Sequence, residues 1–144
     1  MDENINLTIL NEIHKGLVMG MESLSVITSK VGDQNFKDDL DYQYQRYENI
    51  LNRVNKKYQQ LGNKADDTSP MQKAMGWTQI QFNTIADKSN SHISEMLIEG
   101  NTMGIIKGVK ELNQNPNADK EIRQIVTDFV ELQQNNIEKL KTYL

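Results

Sequence analysis

Apolar residues recur at spacings of three and four along four stretches of this chain, and nowhere alternate with polar residues at period two. The three-four spacing lays one apolar stripe along a helix, whereas alternation would mark a half-buried strand. The first stripe reads Leu7, Leu10, His14, Leu17, Met21, Leu24, Thr28, Val31. The second reads Phe36, Leu40, Gln43, Tyr47, Leu51, Val54, Tyr58, Leu61. The third runs Met71, Met75, Thr78, Phe82, Ile85, Ser89, His92, Met96, Glu99, Met103, Ile106. The fourth runs Ile122, Val126, Phe129, Gln133, Asn136, Leu140, Tyr143. Polar breaks separate them at Gly32-Asp33, at 62–70 and at Asn113–Asn117. The pattern therefore predicts helices over about 4–31, 34–61, 70–113 and 118–143. With short connections, four amphipathic helices predict an all-α, antiparallel up-down four-helix bundle in one domain, 1–144.

The third helix has the clearest start: Ser69 as cap, Pro70 at the first helical position and Gln72 completing a capping box. Segment four has Asn117 as its cap, with Asp119 and Glu121 suited to the positive end of the helix. A weak repeat joins the first and third helices. Gly16-Leu17-Val18-Met19-Gly20-Met21 matches Gly100-Asn101-Thr102-Met103-Gly104-Ile105 at an offset of 84. Glycine inside a helix costs roughly 1 kcal/mol against alanine, so these positions point to close helix approach. By that alignment the third helix extends about 18 residues beyond its partners, roughly 27 Å, or else breaks near Ser89-Asn90-Ser91. The extension carries Met71, Met75, Trp77, Ile80 and Phe82, an apolar surface expected to serve homodimerisation or else to fold back over the end of the bundle.

Polar residues inside the stripes are the candidates for chemistry, since burying them is costly unless they are paired. They are His14, Gln43, Tyr47, His92, Glu99, Gln133 and Asn136, with Glu95 one turn from both His92 and Glu99. With turns near residues 32 and 115, facing positions sum to about 64 in the first hairpin and about 230 in the second. This register and the repeat predict one polar layer of His14, Tyr47, Glu99 and Glu131, with His92 and Glu95 just below it. Carboxylates and histidines converging inside a bundle suit iron or another divalent metal, giving His14, His92, Glu95, Glu99 and Glu131 as candidate ligands. The alternative is a hydrogen-bonded layer that fixes helix register.

Composition narrows the chemistry further. The 144 residues include no cysteine, which excludes disulfide scaffolds, thiolate nucleophiles, zinc fingers and iron–sulfur clusters. Sixteen basic and twenty acidic residues give a net charge of −4, against the basic face a nucleic-acid binder needs. No apolar run is long enough to span a membrane, and the polar start Met1-Asp2-Glu3-Asn4 is unlike a signal peptide, so a cytoplasmic location is expected. Phosphate loops, dinucleotide fingerprints, nucleophile elbows and zinc-protease motifs do not occur, so no catalytic residue is assigned. Lys56-Lys57 and Lys139/Lys141 read as solvated faces.

The segment Leu10-Asn11-Glu12-Ile13-His14-Lys15-Gly16-Leu17-Val18-Met19-Gly20, with the Tyr47-Glu48 helix ending in Leu61-Gly62, resembles a bacterial family of uncharacterised ferritin-like helical proteins. That family is of the domain-of-unknown-function 2383 type. The later stretch from Asp87 to Gly104 is similar to hypothetical proteins of anaerobic Firmicutes. The resemblance implies a ferritin-like bundle of unknown function. Ferritin-like di-iron sites use Glu-x-x-His pairs, and this chain has none; His92-x-x-Glu95 carries the reversed order. Two readings stand: a non-enzymatic bundle that self-associates or binds a partner, and a metal-binding bundle with an atypical His/Glu site.

Overall fold

A computed structural model describes residues 3–62 and 85–144. The described residues form four helices and no strand: α1 (Glu3–Thr28), α2 (Gln34–Gln60), α3 (Asn90–Gln114) and α4 (Lys120–Lys141). None is long and apolar enough to cross a membrane. Side-chain caps fix three of the starts. The Phe36 N–H donates to Asp33 Oδ1 at 3.2 Å, and the His92 N–H donates to Ser89 Oγ at 3.2 Å. Asp119 Oδ1 accepts from the N–H groups of Glu121 and Ile122 at 2.8 and 3.4 Å. Each cap satisfies helix-start donors that lack an intrahelical partner. Asp119, not Asn117, therefore caps the last helix. At the end of α2, Gly62 takes φ +71°, a left-handed conformation that glycine adopts without a Cβ clash, and closes the helix.

The expected long third helix is shorter here. Residues 85–89 are not helical, and α3 starts at Asn90, at the break anticipated near Ser89-Asn90-Ser91. Ser69, Pro70, Gln72, Met71, Met75, Trp77, Ile80 and Phe82 lie outside the described residues.

Inter-helix contacts define the direction of each helix. Arg53 pairs with Asp128 at 2.7 Å and Lys57 with Glu121 at 2.8 Å, so α2 and α4 run antiparallel. Lys107 pairs with Glu12, and Glu111 and Asn115 share a surface pocket with Thr8 and Ile5, so α1 and α3 also run antiparallel. The Asp119 N–H donates to Asn6 Oδ1 at 3.1 Å, and Phe129 lies against Gly16, so α1 and α4 run parallel. Asn90 donates to Asp33 at 3.1 Å and Tyr47 to Asn101 at 3.3 Å, so α2 and α3 run parallel. Among the described residues the laterally adjacent helices are thus antiparallel, as a bundle requires, but the second and third helices run parallel across a diagonal, so the expected simple up-down alternation is not what forms. The order of travel is up, down, down, up. The end of α2 and the start of α3 consequently lie at opposite ends of the bundle, about 40 Å apart for a 27-residue α2.

The core is built from Leu10, Leu17, Phe36, Leu40, Val54, Ile93, Ile122, Phe129, Leu132 and Leu140, all nearly inaccessible to water. Each such side chain contributes about 1.5–3 kcal/mol on burial. The stripes read on α1, α2 and α4 face this core; the stripe read on α3 does not. Met103 is 70% exposed, Ile106 51% exposed, and Glu99 lies outside with them. The inward face of α3 is Ile93, Leu97, Asn101, Gly104 and Gly108. Backbone proximity decides this. A Cβ at Gly108 would lie 2.5 Å from Val130 Cγ2, and one at Gly104 3.1 Å from Gln133 Cδ. The small-residue face lets α4 approach and fill the space with its own larger side chains, which makes the α3/α4 pairing the most extensive. The glycine repeat serves close approach as expected, but the tightly packed pairs are Gly16/Gly20 and Gly104/Gly108. Gly100 faces open space.

Two substitutions of the same kind should therefore have opposite signs. Gly108→Ala should destabilise the protein by about 1–3 kcal/mol, because overpacking against Val130 exceeds the helix-propensity gain. Gly100→Ala should stabilise it by up to about 1 kcal/mol. Chemical denaturation of both variants checks the pair.

Candidate functional site

Halfway along the bundle, four polar side chains meet in the interior. Tyr47 projects inward from α2 and is 4% exposed. Its hydroxyl lies 3.1 Å from Gln133 Oε1 on α4 and 3.3 Å from Asn101 Oδ1 on α3. A phenol has one hydrogen to give, so the two amide oxygens share it. Asn136 Nδ2 donates to Asn101 Oδ1 at 3.2 Å, and Asn101 Nδ2 donates to its own helix at the Leu97 carbonyl, 2.7 Å away. The fourth helix contributes an absence of side chain. A Cβ at Gly20 would fall 2.7 Å from Tyr47 Cε1 and 2.8 Å from Cζ, so only glycine lets the ring reach the centre. One layer thus joins all four helices.

The layer is electrically neutral. Burial pushes the Tyr47 hydroxyl up to about 12, with hydrogen bonds to Gln133 and Asn136 offsetting part of the rise. Two other buried polar atoms, Gln43 Nε2 and Ser94 Oγ, have no hydrogen-bond partner, a departure from the pairing that burial normally demands. Amides and a phenol offer none of the carboxylate, imidazole or thiolate donors on which iron, manganese and zinc sites are built.

The predicted layer of His14, Tyr47, Glu99 and Glu131 is replaced by Tyr47, Asn101, Gln133 and Asn136. Only Tyr47 is common to both. Glu99 lies on the outer face of α3, and Glu131, between buried Val130 and Leu132, faces outward from α4. Glu95 is also outside; its carboxylate is 4.0 Å from His92 Nδ1, and both side chains are substantially exposed. His14 is buried on α1, its ring edge-on to Tyr58 with centroids 5.9 Å apart. Six residues, about 9 Å of helix, separate it from Gly20. The five candidate ligands are therefore not brought together. Among the described residues, no group of three or more His, Asp or Glu side chains is placed to hold a metal ion.

Two errors of register explain the difference. Contacts of Asn101 with Asn136 and of Gly104 with Gln133 give facing positions that sum to 237, not 230. The second hairpin turns between Gln114 and Lys120, further along than the predicted turn near 115. In addition, α3 is rotated so that its glycine-bearing face looks inward. Asn101 was the residue missed, and the signal for it was the second stripe, Ile93, Leu97, Asn101, Gly104 and Gly108.

Polar contacts also fasten the two ends of the bundle. Lys57, read as solvated, is 9% exposed, with Nζ 2.8 Å from Glu121 Oε2 and 3.6 Å from Asp119 Oδ1. Its hydrogen bond to Glu121 holds the ammonium above its ordinary pKa. At the other end the Tyr143 ring stacks on Phe36, with centroids 4.2 Å apart, and its hydroxyl donates to Asp39. Partial burial, then the Asp39 carboxylate, push that phenol up to about 12.

A phenol whose folded pKa lies above its unfolded value contributes stability that is complete below the unfolded value and is lost as pH rises through the folded one. Stability should therefore fall from pH 10 toward about 12 as Tyr47 and Tyr143 titrate. Tyr47→Phe should cost about 1–3 kcal/mol at neutral pH, because it removes the donor to the buried Gln133 oxygen and leaves Asn101 Oδ1 with Asn136 alone. It should also flatten the alkaline fall. Denaturant titrations of wild type and variant at pH 7, 10 and 11.5 measure both effects.

No family model matches the chain, and no curated protein matches it. In fold it is similar to YcfI of Rhodopseudomonas palustris, described as "a putative structural protein". The TM-score is 0.78 at 14% identity, over 99% of this chain and 94% of that one. At that identity the similarity is one of fold, and it covers both chains almost end to end.

Proposed function

We propose that this protein is a non-enzymatic bundle of ferritin-like topology that acts as a structural or interaction module and self-associates. The observation that carries the proposal is the neutral layer of Tyr47, Asn101, Gln133 and Asn136. It occupies the level at which a ferritin-like bundle would place inward carboxylates and histidines. Here those positions hold groups that bond only to one another and to backbone, so the layer specifies how the helices meet. The up-down-down-up order of the described helices supports the ferritin-like assignment, since that order distinguishes ferritin-like folds from simple up-down bundles. The resemblance of the Leu10–Gly20 segment to uncharacterised ferritin-like proteins agrees with it. The description of YcfI as a structural protein supports the same class of role.

Elemental analysis tests the proposal against its metal-binding alternative. Protein purified without chelators or a metal-affinity tag should carry substoichiometric iron, manganese and zinc, before and after add-back and desalting. Stoichiometric retention of any of these metals would overturn the non-metal reading. Sedimentation equilibrium tests the second half, with a dimer expected.

A further inference from the structure

The outer face of α3 combines three features that no contact among the described residues explains. Met103 and Ile106 are the largest apolar side chains exposed along it, at 70% and 51%. Glu99 lies one turn before Met103, and Lys110 one turn after Ile106. Glu99 and Lys110 are both exposed, and among the described residues neither forms an ion pair within the chain. The spacing 99, 103, 106, 110 alternates four, three, four. That is the a/d seam of a coiled-coil helix, placed on the side of α3 facing away from its own bundle.

The charges along this seam are self-complementary: acidic at its start, apolar in its middle, basic at its end. We infer that a second copy of this chain docks on the outer face of α3, with the two α3 helices antiparallel and Met103 of each packed on Ile106 of the other. Antiparallel seams pair a positions with d positions. The register that sets Met103 against Ile106 also sets Glu99 of one copy against Lys110 of the other, twice, by two-fold symmetry. A parallel arrangement would instead put Glu99 beside Glu99 and Lys110 beside Lys110. The low amphipathicity of α3 follows from this arrangement: one face serves the bundle through small residues and the other serves the dimer through large ones. The inference rests on the self-association reading above and adds the surface, the partner and the register.

Sedimentation equilibrium over a concentration series, run on the full chain, is the test. Wild type should dimerise. Met103→Glu/Ile106→Glu should weaken association about 100-fold or more, because four carboxylates would be desolvated at the contact. Both side chains are exposed in the single copy, so circular dichroism should show unchanged helix content. Glu99→Lys and Lys110→Glu should each weaken the dimer by about tenfold, by setting like charges opposite each other at two symmetric points. Combining those two substitutions should restore it. A wild-type dimer unaffected by the double glutamate variant would overturn the α3 surface while leaving self-association in place. Additive weakening without rescue in the charge swap would overturn the antiparallel register. A strictly monomeric wild type would overturn both the surface and the self-association reading.

Discussion

The Tyr47 hydroxyl is the constraint around which the bundle is arranged. It is a polar group carried to the middle of an apolar core, and burial there would cost several kcal/mol without partners. Gln133 and Asn101 supply acceptors from two other helices, and Asn136 ties Asn101 in turn. These bonds hold α2, α3 and α4 at one height, and the missing side chain of Gly20 holds α1 close enough to close the layer. Sliding any one helix by a turn would leave amide and phenol groups buried and unpaired. The apolar core supplies most of the stabilisation, but apolar contacts alone tolerate several registers. The polar layer tolerates one.

The layer differs in kind from a metal centre. A metal centre stores anionic groups in the interior and relies on a cation to neutralise them. Here the groups of the layer carry no formal charge, and burial raises the Tyr47 phenol further, to about 12. Among the described residues, carboxylates sit at the surface or in caps and ion pairs, as Asp33, Asp119 and Glu121 do at the bundle ends.

The interior and exterior of α3 show the same division. Its small inward residues allow α4 to approach, so bulk is supplied by Phe129, Val130 and Gln133 from the opposite helix. The large residues left over, Met103 and Ile106, face water. Ile93 and Leu97 fill the interior near the start of α3, whereas beyond Asn101 the inward positions are Gly104 and Gly108, and there the large residues Met103 and Ile106 are left on the outside.

The extents of α1, α2 and α4 were legible in the amino-acid sequence, because three-four periodicity, glycine and capping residues act locally, whereas the start of α3 at Asn90 came about 20 residues later than the stripe suggested. The inward faces of α1, α2 and α4 were fixed in the same way, since each helix carries one dominant apolar stripe. Gln133 and Asn136 could be recognised as buried polar residues for that reason. Helix α3 carries two stripes, one large and one small, and only packing against α4 chose between them. Which polar groups meet was likewise a tertiary matter. A shift of seven residues in the second hairpin, together with the rotation of α3, exchanged Glu99 and Glu131 for Asn101, Gln133 and Asn136. Spacing along one helix is a property of the chain, but the height at which two helices meet depends on loop geometry and side-chain volume across the interface. That height decided whether this bundle held a carboxylate cluster or a neutral hydrogen-bonded layer.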